Sequence, residues 1–327
     1  MSAAFPATRE ARERFIAERR PPKNLLDARR PYGFFVEEEA VAPGRTVPVA
    51  TIFLTNRECS FRCTMCDLWK NTLDSPTPKG AIPDQIRFAL ERLPAARHVK
   101  LYNAGSFFDA AAIPPSDLPE IARLVHGFER VVVECHPSLV GDAVFRFRDT
   151  LAGSDLEVAL GLETANEIAL EKLNKGMTVT DFEDAVRTLV SSGIRVRSFI
   201  LVGVPFLRKE EWPAATRASV ELSFAAGASV VSLIPTRLGN GTLEELQWHG
   251  LFTPPALVDL EGALEDSLER EEDKDSVRGL LLADLWNVDE LPAPSCCSAA
   301  RIERLRAMNT FQRNLPIVSC SSGRHDS

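Results

Sequence analysis

The sequence predicts an α/β protein built on a partial (β/α)6 barrel of the TIM type, with an extension at each end. Two observations carry this prediction. Six short apolar runs rich in β-branched residues alternate with helix-like stretches from residue 49 to about residue 240. Chemically notable residues follow each run, and a barrel brings such strand ends together on one rim. We therefore expect an N-terminal extension (1–48), a core barrel (49–240) and a C-terminal helical, cysteine-containing extension (241–327).

The six apolar runs are short enough to be parallel strands that are buried on both faces. An open doubly wound sheet is the alternative, although no G-x-G-x-x-G follows the first run. Thr180 ahead of Glu183 has the spacing of a capping box, and Gly193 and Gly227 stand where helices end. The predicted strands are 49–54, 99–102, 131–133, 158–162, 195–202 and 229–234. The predicted helices are 83–93, 117–128, 140–151, 180–191 and 212–226.

Composition places the 327-residue chain among ordinary globular proteins, with 45% hydrophobic and 26% charged residues. The formal net charge of -8 argues against a nucleic-acid coat protein. No apolar run approaches the roughly 18 residues of a membrane helix, and the N-terminal residues lack the apolar core of a signal peptide. We expect a cytoplasmic protein without a membrane partner. Residues 1–31 are predicted to form a polar helix and a tail, and the carboxylate-rich stretch 255–280 an exposed helix or helical pair.

Three of the seven cysteines, Cys59, Cys63 and Cys66, stand close together after the first predicted strand. Soft thiolate ligands select zinc, Cu(I) or iron-sulfur clusters. Three protein ligands leave one coordination position open, and an open position is typical of a catalytic metal centre. The alternative is a structural zinc site that Cys135 or His136 completes.

The C-x-x-x-C-x-x-C spacing in this position resembles that of the radical S-adenosylmethionine (SAM) superfamily. The resemblance implies that Cys59, Cys63 and Cys66 hold a 4Fe-4S cluster whose open iron binds SAM. Reductive cleavage of SAM then gives a 5'-deoxyadenosyl radical that abstracts a substrate hydrogen. Met65 occupies the position whose backbone lies near the adenine in that family.

Later strand ends fit the same resemblance. Gly105 and Ser106 stand where the family often has a Gly-Gly-Glu-like turn that meets the methionine amino group. This chain lacks the Glu, so the resemblance assigns that contact to backbone carbonyls or to Ser106. Gly203 corresponds to the family's turn beside the adenine.

The end of the fourth predicted strand, Gly161-Leu-Glu163-Thr164, looks like the family motif whose polar side chain reaches the cofactor. Glu163 is therefore the predicted cofactor contact outside the cysteine loop. The alternative is a rim salt bridge from Glu163 to Lys172 or Arg197.

A narrower resemblance is to the radical subunits of archaeosine synthase and their uncharacterised bacterial relatives. It implies a lyase or oxidoreductase that cleaves a C-N bond in a lysine adduct of a 7-deazaguanine base, during tRNA modification. Two alternatives stay open: another tRNA-modifying radical SAM enzyme, and a non-enzymatic zinc or iron-sulfur binding module. The strings that carry the resemblance are ECSFRCTMCDLWK, KLYNAGSFFD, VVVECHP, LNKGMTVTDFEDAV and SLIPTRLGNGT.

The resemblance also implies partners: a flavodoxin-type or ferredoxin-type electron donor, a partner subunit, and a nitrogenous substrate that is either a small molecule or part of tRNA. Of the remaining cysteines, Cys135 is expected to be a small buried thiol. Cys297 and Cys320, with Cys296 or Cys135, are candidates for an auxiliary cluster or zinc site, although their spacing matches no standard zinc pattern.

Overall fold

A computed structural model describes residues 5–272 and 279–319 of the chain. Within these residues the strands are β1 (Gly33–Ala42), β2 (Arg45–Leu54), β3 (Asn56–Arg57), β4 (Thr72–Leu73), β5 (His98–Asn103), β6 (Arg130–Cys135), β7 (Asp155–Glu163), β8 (Arg195–Val202), β9 (Val230–Pro235) and β10 (Leu280–Ala283). The α-helices are α1 (Arg9–Arg19), α2 (Ala81–Leu90), α3 (Leu118–Leu124), α4 (Asp142–Thr150), α5 (Glu167–Lys172), α6 (Val179–Ser191), α7 (Trp212–Ala226), α8 (Thr242–Trp248), α9 (Leu257–Glu272) and α10 (Ser298–Phe311).

Eight of the described strands form one sheet, in the order β1-β2-β5-β6-β7-β8-β9-β10. β1 pairs antiparallel with β2, and every later neighbour pair in the sheet is parallel. The six predicted strands correspond to β2 and to β5 through β9. The sequence analysis did not predict β1 or β10. β1 carries three consecutive glutamates, which are not typical of a buried parallel strand. β10 is an apolar run of only four residues, and periodicity alone cannot distinguish so short a run from a buried helical segment.

The sheet curls until its two edge strands meet. Ala40 of β1 packs with Leu280 and Leu282 of β10. The ring centres of Tyr102 (β5) and Phe199 (β8) lie 6.2 Å apart, although two strands separate β5 from β8 in the sheet. Side chains of such distant strands meet across an enclosed lumen, so the sheet is a nearly closed barrel. The predicted fold class is confirmed.

The apolar core lies between the outer face of the barrel and its helices. Along β6, for example, Val131, Val133 and Cys135 belong to this core, and the residues between them point into the lumen. Phe147 of α4 and Phe182 of α6 are fully buried against the same layer. Each large apolar side chain buried in this way stabilises the fold by roughly 1.5–3 kcal/mol.

The helix boundaries are close to the predicted ones, with one correction. The capping box of α6 uses Thr178 and Asp181, two residues before the predicted pair Thr180 and Glu183. The Thr178 hydroxyl accepts from the Asp181 amide at 3.1 Å, and the Asp181 carboxylate accepts from the Thr178 amide at 2.7 Å. These reciprocal bonds fix the start of α6. Gly227 ends α7 in the left-handed conformation, as predicted.

The acidic stretch forms α9 within its described part, but the expectation of an exposed helix is wrong on one face. Leu260 and Leu264 are fully buried there, and Glu261 is 2% exposed. Arg304 of α10 pairs with Glu261 at 2.8 Å, and Arg301 pairs with it as well. A buried carboxylate needs such partners, because an unpaired one would carry a large desolvation penalty.

The two ends of the chain also contribute to the described fold. α1 is polar, as predicted, and buries Arg12 and Ile16. The boundaries of the core at residues 49 and 240 stay a prediction, and the barrel sheet takes β1 and β10 from the flanking segments. Among the residues described, no helix has both the length and the apolar character to cross a membrane.

Candidate functional site

The cysteine loop (residues 58–67) follows β3 at the carboxyl end of the barrel strands. Other rim segments hold its backbone in place. The amide of Thr64 donates to the carbonyl of Leu173 at 2.8 Å, and the Asn240 side chain donates to the carbonyl of Thr64 at 2.8 Å. Asn174 donates to the carbonyl of Arg62 at 2.9 Å. The loop is therefore anchored from both the β7 and the β9 sides of the rim.

All three thiols of this loop, those of Cys59, Cys63 and Cys66, are half-buried. Burial raises the pKa of the Cys63 thiol to about 12, while nearby Lys175 opposes the rise. Burial also raises the pKa values of the Cys59 and Cys66 thiols. Metal binding requires thiolates, and a bound cation supplies the positive charge that favours them.

A cleft of about 500 Å³ opens beside Cys59. Arg57, Phe61, Asp109 and Leu139 are among the residues that line it. Its walls carry charges of both signs and include the side of the cysteine loop at Cys59.

Gly105 lies directly against the cysteine loop. Its φ of +107° is in the left-handed region, and a Cβ there would stand 2.9 Å from the Cβ of Cys59. The Asn56 side chain bonds both backbone groups of Ala104, at 3.2 and 3.0 Å, which holds the two segments together. Glycine is therefore required here for the end of β5 to approach the loop.

Ser106 is buried just after β5. Its hydroxyl donates to the sulfur of Cys135 at 3.4 Å and accepts from the amide of Phe108 at 3.3 Å. Cys135 is 4% exposed, which confirms the predicted buried thiol. The Cys135 thiol also donates to the carbonyl of His136 at 3.2 Å.

His136 stacks on Phe61 of the cysteine loop, with ring centres 3.8 Å apart and an interplanar angle of 12°. Its Nδ1 accepts from the amide of Ser138 at 3.2 Å, so Nε2 carries the proton and donates to the carbonyl of Lys175 at 3.0 Å. Burial and Lys175 lower the pKa of His136 to about 4. Both ring nitrogens are thus in use, as is the thiol of Cys135, which disfavours the zinc site that either residue was to complete.

Glu163 forms a buried ion pair with Lys175, not with Lys172 or Arg197 as the alternative supposed. A bulge in β7 between Gly161 and Glu163 turns the carboxylate toward the lumen, and Glu163 has a φ of +68°. Such a conformation costs of order 1–3 kcal/mol in a residue other than glycine and is typical of functional sites. Arg197 pairs with other carboxylates lower in the barrel.

Gly203 also has a left-handed φ, of +78°. A Cβ at this position would lie 2.8 Å from Cδ of Pro255, so the C-terminal segment itself requires the glycine. The side chain of Met65 packs between two small apolar clusters, one around Leu201 and the other around Leu246. These contacts position both residues on the rim. Their contacts with a cofactor stay a prediction.

The lumen has two contrasting halves. The lower lumen, toward the amino ends of the strands, is a network of buried charges in which Arg197 bonds Glu39 at 2.7 Å and Glu157 at 2.8 Å. Lys100 pairs with Glu37 at 2.9 Å and also with Glu39. The upper lumen, nearer the cysteine loop, is instead aromatic and half-open to solvent, and its members are Tyr32, Phe53, Tyr102, Phe199 and Glu134.

Glu134 is the site residue that the sequence analysis missed. It is half-buried at the end of β6, and no described residue gives its carboxylate a hydrogen bond or ion pair. Burial raises the pKa of Glu134 to about 8, and the Glu163 charge adds to the rise while Lys175 opposes it. A signal was present: a single acidic residue interrupts the apolar run VVVEC at a lumen-facing position.

The predicted second metal centre stays a prediction, because the described residues include only part of it. Cys297 is buried and accepts from Nε of Arg301 at 3.4 Å, whereas Cys296 is exposed. Cys320 lies outside the described residues. Within 5–272 and 279–319, no three His, Cys, Asp or Glu side chains are arranged to hold one metal ion. Three side chains around a single ion form a different arrangement from the ligands of a 4Fe-4S cubane, in which each thiolate binds a different iron.

A comparison with models of protein families identifies the superfamily to which the chain belongs. Residues 53–218 match the model of the Radical SAM superfamily. The chain belongs to this superfamily. It is therefore a radical SAM enzyme, and the family implies a 4Fe-4S cluster and SAM as its cofactors.

Relatives narrow the comparison further. Archaeosine synthase subunit beta of Thermococcus kodakarensis is 28% identical over 204 residues, which are 60% of this chain and 63% of that protein. The same subunit of Methanosarcina acetivorans is also 28% identical, over 60% of this chain and 58% of its own length. The matched region thus spans about three-fifths of the length of these two relatives.

Among solved structures, methylornithine synthase (PylB) matches with a TM-score of 0.53 at 14% identity, over 98% of this chain and 85% of that chain. Streptococcus suis SuiB matches with a TM-score of 0.52 at 12% identity, over 72% of this chain and 48% of its own. Identities this low show a shared fold and carry nothing about substrate.

Proposed function

We propose that the chain is a radical SAM lyase that cleaves a C-N bond in a lysine adduct of a 7-deazaguanine base, with its cluster held by Cys59, Cys63 and Cys66. The observation that carries the proposal is the cysteine loop on the barrel rim of a radical SAM chain. The similarity to archaeosine synthase subunit beta supports the choice of substrate.

The residues around the loop suit a cluster. Three soft donors leave one iron for a further ligand. Gly105 removes the side chain that would clash with Cys59, and Lys175 places a positive charge beside Cys63. Asn103, two residues before Gly105, has both amide atoms buried without a hydrogen-bond partner among the described residues. A buried orphan of this kind needs an explanation, and a polar ligand at the rim provides one.

When bound, the cluster and SAM supply the 5'-deoxyadenosyl radical that starts the chemistry. The chain's own residues orient SAM and exclude water. In this proposal the Glu163 carboxylate binds a polar group of SAM, with Lys175 holding it in place. Backbone groups at Gly105 and Gly203, with Ser106, face the methionine and adenine parts, and Met65 supports the loop from below.

The remaining partners follow from charge and chemistry. Because the net charge is -8, this chain by itself is poorly suited to binding RNA phosphates. We therefore infer a partner subunit that presents tRNA, in keeping with the word subunit in the names of both relatives. An external donor of the flavodoxin or ferredoxin type would reduce the cluster.

The test is a single-turnover assay under anaerobic conditions. Protein reconstituted with iron and sulfide is mixed with SAM, dithionite and a nucleoside or tRNA carrying the lysine adduct. We expect 5'-deoxyadenosine together with a free amidine, both detected by mass spectrometry. Formation of 5'-deoxyadenosine with an unchanged adduct would overturn the proposed substrate, and no SAM cleavage at all would overturn the radical chemistry.

A further inference from the structure

The upper lumen, called the chamber below, is lined by aromatic rings that are in contact with one another. Tyr32 stacks on Phe53 with ring centres 5.4 Å apart and an interplanar angle of 18°. Phe53 in turn lies 6.3 Å from Tyr102, which meets Phe199 across the barrel at 6.2 Å. All four rings keep some solvent exposure, whereas Arg197 and Glu157 of the lower lumen are almost fully buried. Lumen-facing rings that solvent still reaches line a space that can admit a ligand.

The far wall of this chamber comes from the segment after β10. Trp286 stacks on Phe35 at 4.8 Å and meets the edge of Phe53 at 5.2 Å. Trp286 remains 46% exposed. Such a set of flat, apolar faces suits a planar ring, because aromatic stacking is favourable and tolerant of ring type.

Stacking alone does not select a ring, so the polar groups of the chamber matter. Glu134 is the carboxylate of the upper lumen without a described partner. It lies near enough to Tyr32 and Tyr102 for its charge to add to the burial that raises the pKa of each phenol. Lys175, the cation whose charge acts on Glu134, already pairs with Glu163. When such an unpartnered carboxylate is ionised, the ligand that stabilises it most is one that donates an N–H hydrogen bond to each of its two oxygens.

We infer that the upper lumen binds a planar, guanine-type heterocycle, stacked on its aromatic rings, with adjacent ring and exocyclic N–H groups donated to Glu134. This inference rests on the proposed function and names the residue that selects its substrate. A guanine-type edge presents two neighbouring donors to a carboxylate. An adenine-type edge presents a donor beside an acceptor, and that acceptor would face the Glu134 oxygens. The chamber therefore discriminates between these two ring types.

The experiment compares two probes that differ only in that edge, 7-deazaguanine and 7-deazaadenine. Binding to the reconstituted full chain is measured by calorimetry at pH 9, above the raised pKa of Glu134 of about 8, so that its carboxylate is ionised, with SAM present. We expect 7-deazaguanine to bind about 10- to 100-fold more tightly, the range given by one well-placed pair of hydrogen bonds. Equal affinity for the two probes, or no binding of either, would overturn the inference.

Two variants and a matched control locate the effect. Glu134→Gln should weaken 7-deazaguanine binding by about 10-fold or more and remove most of the preference. Phe199→Leu should weaken both probes by a similar factor, because it removes stacking without touching the edge. Glu38→Gln changes an exposed carboxylate on the outer face of β1 and should alter nothing. An unchanged preference in Glu134→Gln would remove Glu134 from the site.

Two further measurements distinguish a failure of this inference from a failure of the proposed function on which it rests. SAM carries its own adenine, so SAM in the chamber would compete with 7-deazaguanine, whereas simultaneous binding supports the inference. Reductive cleavage of SAM is measured on the same samples. Cleavage without selective base binding would overturn the chamber's role and leave the radical chemistry standing. A protein that neither gains a cluster nor cleaves SAM would overturn the proposed function itself.

Discussion

The two halves of the barrel lumen differ in whether their carboxylates are paired with cations. In the lower lumen every carboxylate meets a cation, and Arg197 alone bridges Glu39 and Glu157. In the upper lumen Glu134 has no such partner among the described residues and lies among aromatic rings. Fully paired buried charges fix a structure, while an unpaired one is unfavourable unless a ligand completes it. The contrast indicates that the lower half holds the barrel together and that the upper half is where ligands bind.

The largest effect is expected at the rim above the lumen. Cys63→Ala should abolish SAM cleavage, because two thiolates cannot retain an open-site cubane in this loop. The fold should survive, since the loop is anchored by backbone bonds at Thr64 and Arg62. Iron content, 5'-deoxyadenosine formation and circular dichroism are the measurements. The exposed thiol of Cys296 provides the control, and Cys296→Ala should cleave SAM normally. Retained cleavage in Cys63→Ala would remove Cys63 from the ligand set.

Arg197→Met is expected to lower stability, whereas Cys63→Ala lowers activity. It should therefore show most clearly that the two halves of the lumen differ in their contribution to stability. It leaves Glu39 and Glu157 without their shared cation and should lower the free energy of unfolding by about 3–5 kcal/mol. Glu134→Gln, a change of similar kind in the upper lumen, should alter it by less than about 1 kcal/mol at pH 6. Urea denaturation of the three proteins measures both values. Equal losses in the two variants would contradict the division of the lumen.

The two halves should also respond to pH with opposite signs. Arg197 and Lys100 hold the pKa of Glu39 well below its usual range against the effect of burial, so its contribution to stability is present at neutral pH and is lost in acid. Glu134 has a pKa raised from 4.5 to about 8, so the stability of its protonated form is lost as the pH rises through 8. The melting temperature of Glu134→Gln, relative to that of the wild type, should therefore increase between pH 5 and pH 8.5.

A constant difference between these melting temperatures across that range would show that Glu134 ionises normally. Lys175→Met offers a second check on the sign. Removing this cation should raise the pKa of Glu134 further. The loss of stability with rising pH should therefore continue to higher pH in the Lys175→Met protein than in the wild type.

The smallest effect concerns single hydroxyl groups. Thr51 in the lower lumen donates to Glu37 at 3.0 Å, and Thr51→Val should lower the free energy of unfolding by about 1 kcal/mol. Tyr102→Phe removes a hydroxyl in the upper lumen that makes no hydrogen bond to a described residue, and should change stability by less than about 0.5 kcal/mol. A larger loss in Tyr102→Phe would reveal a structural role in the upper half.

The sequence predicts well those features that depend on local pattern. The strands β2 and β5 through β9 are apolar runs, and the cysteine loop is a contiguous motif, so both could be placed before the structure was known. Buried helix faces are harder, because Glu261 looks like any surface carboxylate until Arg304 of another helix is placed beside it.

The remaining features arise only when the barrel closes. β1 looks like an exposed segment because its glutamates find their cations on β5 and β8, far away in the sequence. The partner of Glu163 is Lys175 rather than Lys172 or Arg197, because the β7 bulge and the following loop set the direction of both side chains. Glu134 stands out only once its neighbours prove to be aromatic.

The most direct test of this division is a crystal structure of the anaerobically reconstituted protein with SAM and 7-deazaguanine. We expect the base in the upper lumen, stacked among Tyr102, Phe199 and Phe53, with two of its N–H groups donated to the Glu134 carboxylate. A base bound in the outer cleft beside Cys59, or an upper lumen filled by the adenine of SAM, would contradict it.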